Sequence, residues 1–335
     1  MTSHAHASKS WTNGPVFLIP AGDPVVGLGG YVVKPVVKKF EAFPRQEEDS
    51  GLAYKRAVGG EELSYEETDP FLLLDELGPI LLAEGDFPGT PWHPHRGIDK
   101  VTYLLYGEGT YEDTQGTTGT LTSGDMQWLT TGSGLELTES NDHPGGLLHA
   151  FQIWINMPSQ LKRLNPCYQD IRKNDIPIVH IKDGLKCKIL AGVCHRKSGS
   201  TQTPVECQIL DFRVENGVEF THIVPVAMTT GIVYVYHGSG QFGAQDIEAI
   251  KGDTLLCGPG DSLRFKCRAS LSTASKKNYV EDLRFLFLAG IPLGEPLYSH
   301  GGIFVNTREE LRIAIKEYEQ DSFLKATPRV LSKSV

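Results

Sequence analysis

An internal repeat constrains the fold of this chain more than any other feature of its sequence. The run VTYLLYGEG at residues 101–109 recurs as IVYVYHGSG at residues 232–240. In both copies, β-branched and aromatic residues that favour a strand lead into a Gly-x-Gly turn. A Gly-Asp turn follows each copy, at residues 124–125 and at residues 260–261. Two tandem copies of one strand-and-turn unit predict two β-domains.

Length and composition agree with two globular domains. The chain has 335 residues, too many for one ordinary core, and it is 22% charged and 40% hydrophobic. No apolar run approaches the length of a membrane span. The net charge of −9 disfavours direct binding to nucleic acid, which depends on lysine and arginine. Six cysteines without a C-x-x-C pair are typical of a reducing compartment, so we expect a cytoplasmic location, with the nucleus as an alternative.

The two ends of the chain differ in pattern. The N-terminal residues have no continuous apolar region and are interpreted as a flexible extension. Near the C-terminus, residues 306–318 predict a helix, because Thr307 and Glu310 form a capping-box pattern and apolar residues follow at helical spacing. The predicted organisation is an extension at 1–31, an N-terminal domain at 32–170, and a C-terminal domain with its helix at 171–335.

A His-Pro-His motif precedes the first copy of the repeat. His93 and His95 stand two positions apart, and Pro94 holds the segment extended, so both imidazoles point to the same side. One metal ion can therefore bind both. A motif of this kind on its own is more often a solvent-facing loop feature. The second copy of the repeat has no such motif before it, so the sequence predicts at most one metal site, in the N-terminal domain.

Five separate motifs give the chain a resemblance to the pirin family of bicupins. They are DPFLLLDE at 69–76, HPHRG at 93–97, the glycine-rich run at 124–134, YQDI at 168–171 and the AG-x-PLGEP to NT-x-EE tail at 289–310. They occur in the family's order and place the match over residues 32–325. The resemblance implies an all-β fold of two tandem antiparallel cupin (jelly-roll) barrels, with a C-terminal helix that packs back onto the first barrel.

The resemblance also implies a metal site, from which this sequence departs at one position. Pirins hold a metal ion with both histidines of HPH and with a His and a Glu two residues apart on a later strand. Carried onto this sequence, the metal ligands are His93, His95 and Glu139, whereas Leu137 stands at the position of the remaining His. The expected cofactor is one divalent ion, Fe(II). No catalytic residue beyond these ligands is indicated.

Leu137 leaves three interpretations open. First, His93, His95 and Glu139 alone form a 2-His-1-carboxylate set, as in open non-haem iron centres. Second, Glu136 substitutes for the missing imidazole, although strand alternation places it on the opposite face unless a bulge turns it. Third, the site binds metal weakly or not at all, because a leucine offers no lone pair to the ion.

For function, the resemblance implies two kinds of role without choosing between them. The first is a redox-sensitive transcriptional co-regulator that carries a single metal ion and works through a protein partner. The second is a quercetin 2,3-dioxygenase-type enzyme that acts on a flavonol-like small molecule. A third hypothesis is a metal-free scaffold, and Leu137 shifts the balance towards the regulator and the scaffold. Neither direct nucleic-acid binding nor a membrane association is expected.

Overall fold

The chain folds almost entirely into β-strands. The computed structural model describes residues 15–20, 25–27, 29–46, 53–140, 143–268 and 281–331. Within these ranges the first strands are β1 Phe17–Leu18, β2 Val25–Val26, β3 Val32–Val33, β4 Val36–Glu41, β5 Phe43–Gln46, β6 Ala53–Val58, β7 Phe71–Leu82, β8 His93–His95, β9 Ile98–Tyr106, β10 Glu108–Asp113, β11 Thr118–Thr122, β12 Met126–Thr130, β13 Leu135–Glu139, β14 Gly146–Asn156 and β15 Cys167–Ile171.

The second half of the chain repeats this architecture. Its strands are β16 Ile178–Lys182, β17 Leu185–Ala191, β18 Val193–Cys194, β19 Lys197–Ser198, β20 Cys207–Val214, β21 Glu219–Ile223, β22 Thr230–His237, β23 Ser239–Phe242, β24 Ile247–Ile250, β25 Asp253–Cys257, β26 Ser262–Cys267, β27 Leu283–Gly290, β28 Tyr298–His300, β29 Ile303–Val305 and β30 Arg329–Val330. The helices in the described residues are α1 Tyr65–Thr68 and α2 Arg308–Glu319, with a 3₁₀ turn at Ser159–Leu161.

These strands build two jelly-roll domains. The N-terminal cupin has an eight-stranded sheet in the order β30-β15-β12-β9-β14-β7-β6-β5 and a four-stranded sheet, β11-β10-β13-β8. The C-terminal cupin has the eight-stranded order β1-β4-β25-β22-β27-β20-β17-β16 and a smaller sheet, β2-β3-β26-β23-β24, with β21 added on β26. The predicted all-β fold of two tandem cupins is confirmed, with sheets that stay open rather than closing into rings.

Strands near the N-terminus belong to the C-terminal cupin, and a strand near the C-terminus belongs to the N-terminal cupin. β4 pairs with β25 and β3 with β26, so residues 32–41 belong to the sheets of the C-terminal cupin. At the other end, β30 pairs with β15 of the N-terminal cupin. The predicted domain boundaries therefore separate the two repeats along the sequence, but they do not match the sheets to which the terminal strands belong. Of the predicted extension, residues 1–14, 21–24 and 28 lie outside the described residues, while β1 and β2 pair with β4 and β3.

The C-terminal helix packs on the N-terminal cupin, as the family resemblance implies. Thr307 accepts a hydrogen bond from the backbone N–H of Glu310, which confirms the predicted cap, and α2 begins at the next residue, Arg308. From the helix, Glu317 accepts from Arg96 Nη1 at 2.8 Å. Arg96 Nη2 also donates to the backbone oxygen of Phe323. Arg96 thus ties the turn after β8 to the C-terminal segment.

The two eight-stranded sheets share one hydrophobic core. Trp128 of the N-terminal cupin and Leu288 of the C-terminal cupin are both fully buried in it. Polar bonds also cross this interface, since the Tyr103 hydroxyl donates to Asp211 at 2.8 Å. The side chains of β9 that face this core alternate with those that face the interior of the N-terminal cupin. The interior of the N-terminal cupin is where the predicted site lies.

Candidate functional site

The predicted histidines face a cavity inside the N-terminal cupin. The cavity has a volume of about 690 Å³, and His93, His95, Leu137 and Glu139 all line it. Its other walls are largely apolar and include Leu77, Leu104, Leu121, Leu148 and Trp154. The strands therefore bring together the four positions that the sequence assigns to one site.

His95 is the most deeply placed of these groups. Its side chain is 1% exposed, the backbone of Gly302 lies beside its ring, and neither ring nitrogen makes a well-formed hydrogen bond among the described residues. Its ring meets that of Trp154 edge to face at 5.2 Å. Burial, and then the charges of Lys100 and His93, hold the pKa of His95 well below its usual value. His95 is therefore a neutral imidazole whose hydrogen-bonding capacity is available to a molecule in the cavity.

His93 is fixed by the backbone before it. Its Nδ1 lies 2.8 Å from the carbonyl oxygen of Pro91. Because a carbonyl oxygen only accepts, the hydrogen bond requires the proton on Nδ1, which leaves Nε2 as the atom with a lone pair in the neutral ring. The imidazoles of His93 and His95 meet edge to face with centroids 4.8 Å apart.

The pairing of β13 with β8 determines which residues of β13 lie beside the two histidines. Leu137 lies opposite His93, and Leu135 lies opposite His95. Leu137 is 1% exposed, so a hydrocarbon side chain occupies the position next to His93. Glu136 points the other way, away from the cavity lining, and accepts from the Tyr318 hydroxyl at 3.1 Å. Because β13 pairs with β8 without a bulge, alternation keeps Glu136 on the face opposite His93, which disfavours the interpretation in which Glu136 replaces the missing imidazole.

Lys100 contributes a positive charge that the sequence interpretation did not anticipate. On β9, alternation turns Lys100, Thr102 and Leu104 towards the cavity, and all three line it. The Lys100 side chain is 2% exposed, and its Nζ donates to Glu139 Oε1 at 2.5 Å. Lys100 and the two inward-facing residues after it are spaced two positions apart. This spacing is visible in the sequence and places all three on the same side of the strand.

Glu139 is engaged at both of its oxygens. Lys100 binds Oε1, and the Thr90 hydroxyl donates to Oε2. Burial would raise the pKa of Glu139, but the charges of Lys100 and His93 and the two hydrogen bonds hold that pKa at about 2. The carboxylate is therefore ionised and paired with the ammonium group of Lys100.

These contacts do not fit a divalent ion at the predicted position. The carboxylate of Glu139 is already paired, and an ammonium group beside it repels any cation that approaches. Leu137 adds no ligand. Within the residues that the structure describes, no group of three or more His, Cys, Asp or Glu side chains is arranged to hold a metal ion. The cavity instead carries its positive charge on a protein side chain.

The C-terminal segment closes the cavity on one side. Ile315 and Tyr318 of α2 and Gly302 of the turn after β28 are part of its lining. A methyl group on Gly302 would lie 2.6 Å from His95 Nδ1 and 2.3 Å from the oxygen of Pro94. Only glycine fits here, because the turn lies directly against the buried imidazole.

The N-terminal jelly roll carries a His-x-His strand that faces a cavity between its sheets, and a second jelly roll without that motif follows it in the chain. The Pirin family profile matches residues 51–155, and the profile of the Pirin C-terminal cupin domain matches residues 209–324. The chain therefore belongs to the pirin family.

Individual relatives are similar to this chain over most of their length. A pirin-like protein of Solanum lycopersicum is 35% identical over 286 residues, 85% of this chain and 91% of that protein. Pirin of Homo sapiens is 32% identical over 279 residues, with 82% and 88% covered. Among solved structures, a quercetin 2,3-dioxygenase of Acinetobacter baumannii is similar at a TM-score of 0.77 and 27% identity, with 87% of this chain and 98% of that chain covered. Among the described residues, neither helix has the length and apolar character needed to cross a membrane.

Proposed function

We propose that this chain is a pirin-family cupin that binds a small organic ligand in its N-terminal cavity without a metal ion. On this proposal it acts as a binding protein rather than as a dioxygenase. The observation that carries the proposal is the contact between Lys100 Nζ and Glu139 at 2.5 Å. The contact puts an ammonium group where the family resemblance implies a metal ion, and Leu137 removes a further ligand.

The chemistry of the cavity limits what it can bind. Its volume of about 690 Å³ lies within the range of small-molecule sites. The largely apolar walls favour a flat aromatic molecule, and Lys100 favours an ionised oxygen on that molecule. His95, neutral and without a well-formed hydrogen bond from its ring nitrogens among the described residues, offers a hydrogen bond to a hydroxyl group. A flavonol-like phenol or enol has all of these features.

Flavonol dioxygenation is the second candidate function. It is favoured by the similarity to the Acinetobacter baumannii quercetin 2,3-dioxygenase, which extends over 87% of this chain. A non-haem metal centre would supply the oxygen chemistry of such an enzyme. The pairing of Glu139 with Lys100 opposes metal binding here, so we place this activity behind ligand binding.

We also propose a regulatory role through a transcription-related protein partner, in the cytoplasm or nucleus. A cavity that binds a ligand without turnover can report the concentration of that ligand to a partner. Pull-down of a tagged chain from cell extract, with and without saturating flavonol, tests this role. Ligand-dependent recovery of a transcription factor would support it, and recovery of the same proteins in both samples would not.

The proposal is tested by separating binding from turnover. Quercetin is titrated calorimetrically into the wild type, Lys100→Met, and Lys173→Met, which removes an equal charge from an exposed site outside the cavity. We expect Lys100→Met to weaken binding about 10- to 100-fold, the usual effect of losing one charged hydrogen bond, and Lys173→Met to leave it unchanged.

Turnover is measured on the same samples. Each protein is incubated aerobically with quercetin and added Fe(II) or Ni(II), and oxygen consumption and ring-opened product are followed. The proposal predicts binding by the wild type without product. Wild-type turnover that rises with added metal would contradict it in favour of the dioxygenase. Equal affinities of the wild type and Lys100→Met would show that Lys100 does not contact the ligand.

A further inference from the structure

Two cysteines and a histidine form a second polar cluster, inside the C-terminal cupin and apart from the cavity. Cys187 lies on β17, Cys194 on β18 and His222 on β21, and all three side chains are buried. Cys194 Sγ lies 3.9 Å from His222 Nδ1, and Cys187, whose thiol donates to the backbone oxygen of Lys188 at 3.4 Å, lies beside Cys194. The rings of Phe212 and Phe287 pack against His222. The cluster thus combines a thiol pair with a base in apolar surroundings.

Gln208 determines which nitrogen of His222 carries the proton. Gln208 Nε2 donates to the backbone oxygen of Val193 at 2.8 Å, so its Oε1 is the atom that faces His222 Nε2 at 3.1 Å. A carboxamide oxygen only accepts, and Nε2 of His222 must therefore be protonated. Nδ1 is then the atom that receives the Cys194 proton. Cys194 is therefore a nucleophile next to its base, His222, and Gln208 orients that base. Reactive cysteines are activated by such an arrangement.

The two thiols of the cluster differ in acidity. The neighbouring Cys187 thiol has the largest effect on Cys194, and together with His222 it lowers the pKa of Cys194 against the opposing effect of burial. Burial, above all, raises the pKa of Cys187 well above its usual value. A thiolate beside a thiol is the state in which cysteine pairs react with oxidants. Burial raises the pKa of each of the remaining cysteines, Cys167, Cys207, Cys257 and Cys267.

Cys194 is part of a short hairpin formed by β18 and β19. β18 and β19 pair with each other and with no other strand in the described part of the chain. The turn between them holds His195 and Arg196 in the left-handed region, at φ 47° and 66°, and Val193 is 46% exposed. A hairpin of two-residue strands at the surface is the kind of element that opens locally, and its opening is the route by which hydrogen peroxide would reach Cys194.

We propose that Cys194 and Cys187 form a dithiol site that reacts with hydroperoxides. The Cys194 thiolate attacks one oxygen of hydrogen peroxide, the O–O bond breaks, and the departing oxygen takes the proton held by His222 and leaves as water. The product is a sulfenic acid on Cys194. The Cys187 thiol then attacks the Cys194 sulfur, the S–O bond breaks, and water leaves as the disulfide forms. Two thiols are oxidised to one disulfide, and one peroxide is reduced to two waters.

The experiment uses the full chain after reduction and removal of the reductant. Hydrogen peroxide is added stepwise, and the protein is digested without reductant and mapped by mass spectrometry. We expect the intact mass to fall by about 2 Da, the loss of two hydrogens, with the peptides of Cys187 and Cys194 linked and released again by dithiothreitol. Because this readout uses the wild type, it does not depend on whether any variant folds.

Variants then assign the roles of the two sulfurs. Cys187→Ser should stop at the sulfenic acid, a gain of about 16 Da that dimedone traps on Cys194. Cys194→Ser should remove both products, and Cys167→Ser, a buried cysteine of the other domain, should behave as the wild type. His222→Gln should slow oxidation about tenfold or more through loss of the base. The proposal is overturned if peroxide oxidises other residues first, or if the dimedone adduct forms on Cys187.

Discussion

Replacing Lys100 with methionine should create metal affinity in the cavity. The size of the effect follows from the geometry at Glu139. Lys100 Nζ lies 2.5 Å from Glu139 Oε1, and carboxylate oxygens bind transition metals at about 2.1 Å, so an ion on Glu139 would lie within about 4.6 Å of the ammonium nitrogen. A dication and a monocation at that distance repel each other by about 7 kcal/mol at an effective dielectric constant of about 20. This corresponds to about five orders of magnitude in Kd.

The measured gain will be smaller than this limit, because the lysine side chain is flexible and can turn away from an incoming ion. We therefore expect Lys100→Met to bind Ni(II) about 100- to 1,000-fold more tightly than the wild type. Leu137→His alone should gain about tenfold or less, because the added imidazole still faces the ammonium group. The double variant, with two imidazoles opposite each other and Glu139 released, should exceed both single variants.

The assay is competition against a fluorescent chelator, with Ni(II) as an air-stable probe and Fe(II) under anaerobic conditions. Lys173→Met is the matched control and should bind metal as the wild type does. If Lys100→Met and the wild type bind Ni(II) equally, the ammonium group does not govern the site. If Leu137→His alone reaches the affinity of the double variant, Lys100 moves aside freely and the electrostatic argument fails.

Two further predictions concern stability and the shape of the site. Burial raises the pKa of Asp99 to about 7, from 3.8, against the opposing effects of Thr130, Trp128 and Thr203. Below pH 3.8 Asp99 is protonated in both the folded and the unfolded state, so its burial costs no stability. As the pH rises, Asp99 ionises in the unfolded state first, and the loss of folding stability grows to about 4 kcal/mol above pH 7. Asp99→Asn should accordingly stabilise the fold increasingly between pH 4 and pH 7 in urea titrations, and a pH-independent difference would refute the assignment. Gly302→Ala should displace His95 and weaken quercetin binding by about tenfold or more, because the new methyl group overlaps the imidazole and cannot be relieved without moving the backbone of Pro94. Unchanged calorimetric affinity would show that His95 makes no contact with the ligand.

The arrangement of residues on β8 and β13 could be predicted from the sequence because strand alternation is strictly local. The period of two places His93 with His95 and Leu137 with Glu139, and it places Glu136 on the other side, as the pairing shows. No long-range information is needed for these assignments except that the two strands are neighbours, which the family resemblance supplies.

The role of Lys100 could not be predicted in the same way. Alternation indicates the side of β9 on which a lysine lies, but not whether its ammonium group extends to solvent or turns inward. That choice depends on Glu139 and Thr90, which come from other parts of the chain. The placement of residues 32–41 is also non-local, since β4 pairs with β25 more than two hundred residues later. Neither the sequence spacing nor the composition encodes such a pairing.

The most direct test of a metal-free cavity is a crystal structure of the wild type grown with Ni(II), with data collected at the nickel absorption edge. We predict continuous density for Lys100 reaching the carboxylate of Glu139, and no anomalous peak between His93, His95 and Glu139. An anomalous peak coordinated by these three side chains, with Lys100 turned away from Glu139, would contradict the account and restore the chain to the metal-dependent pirins.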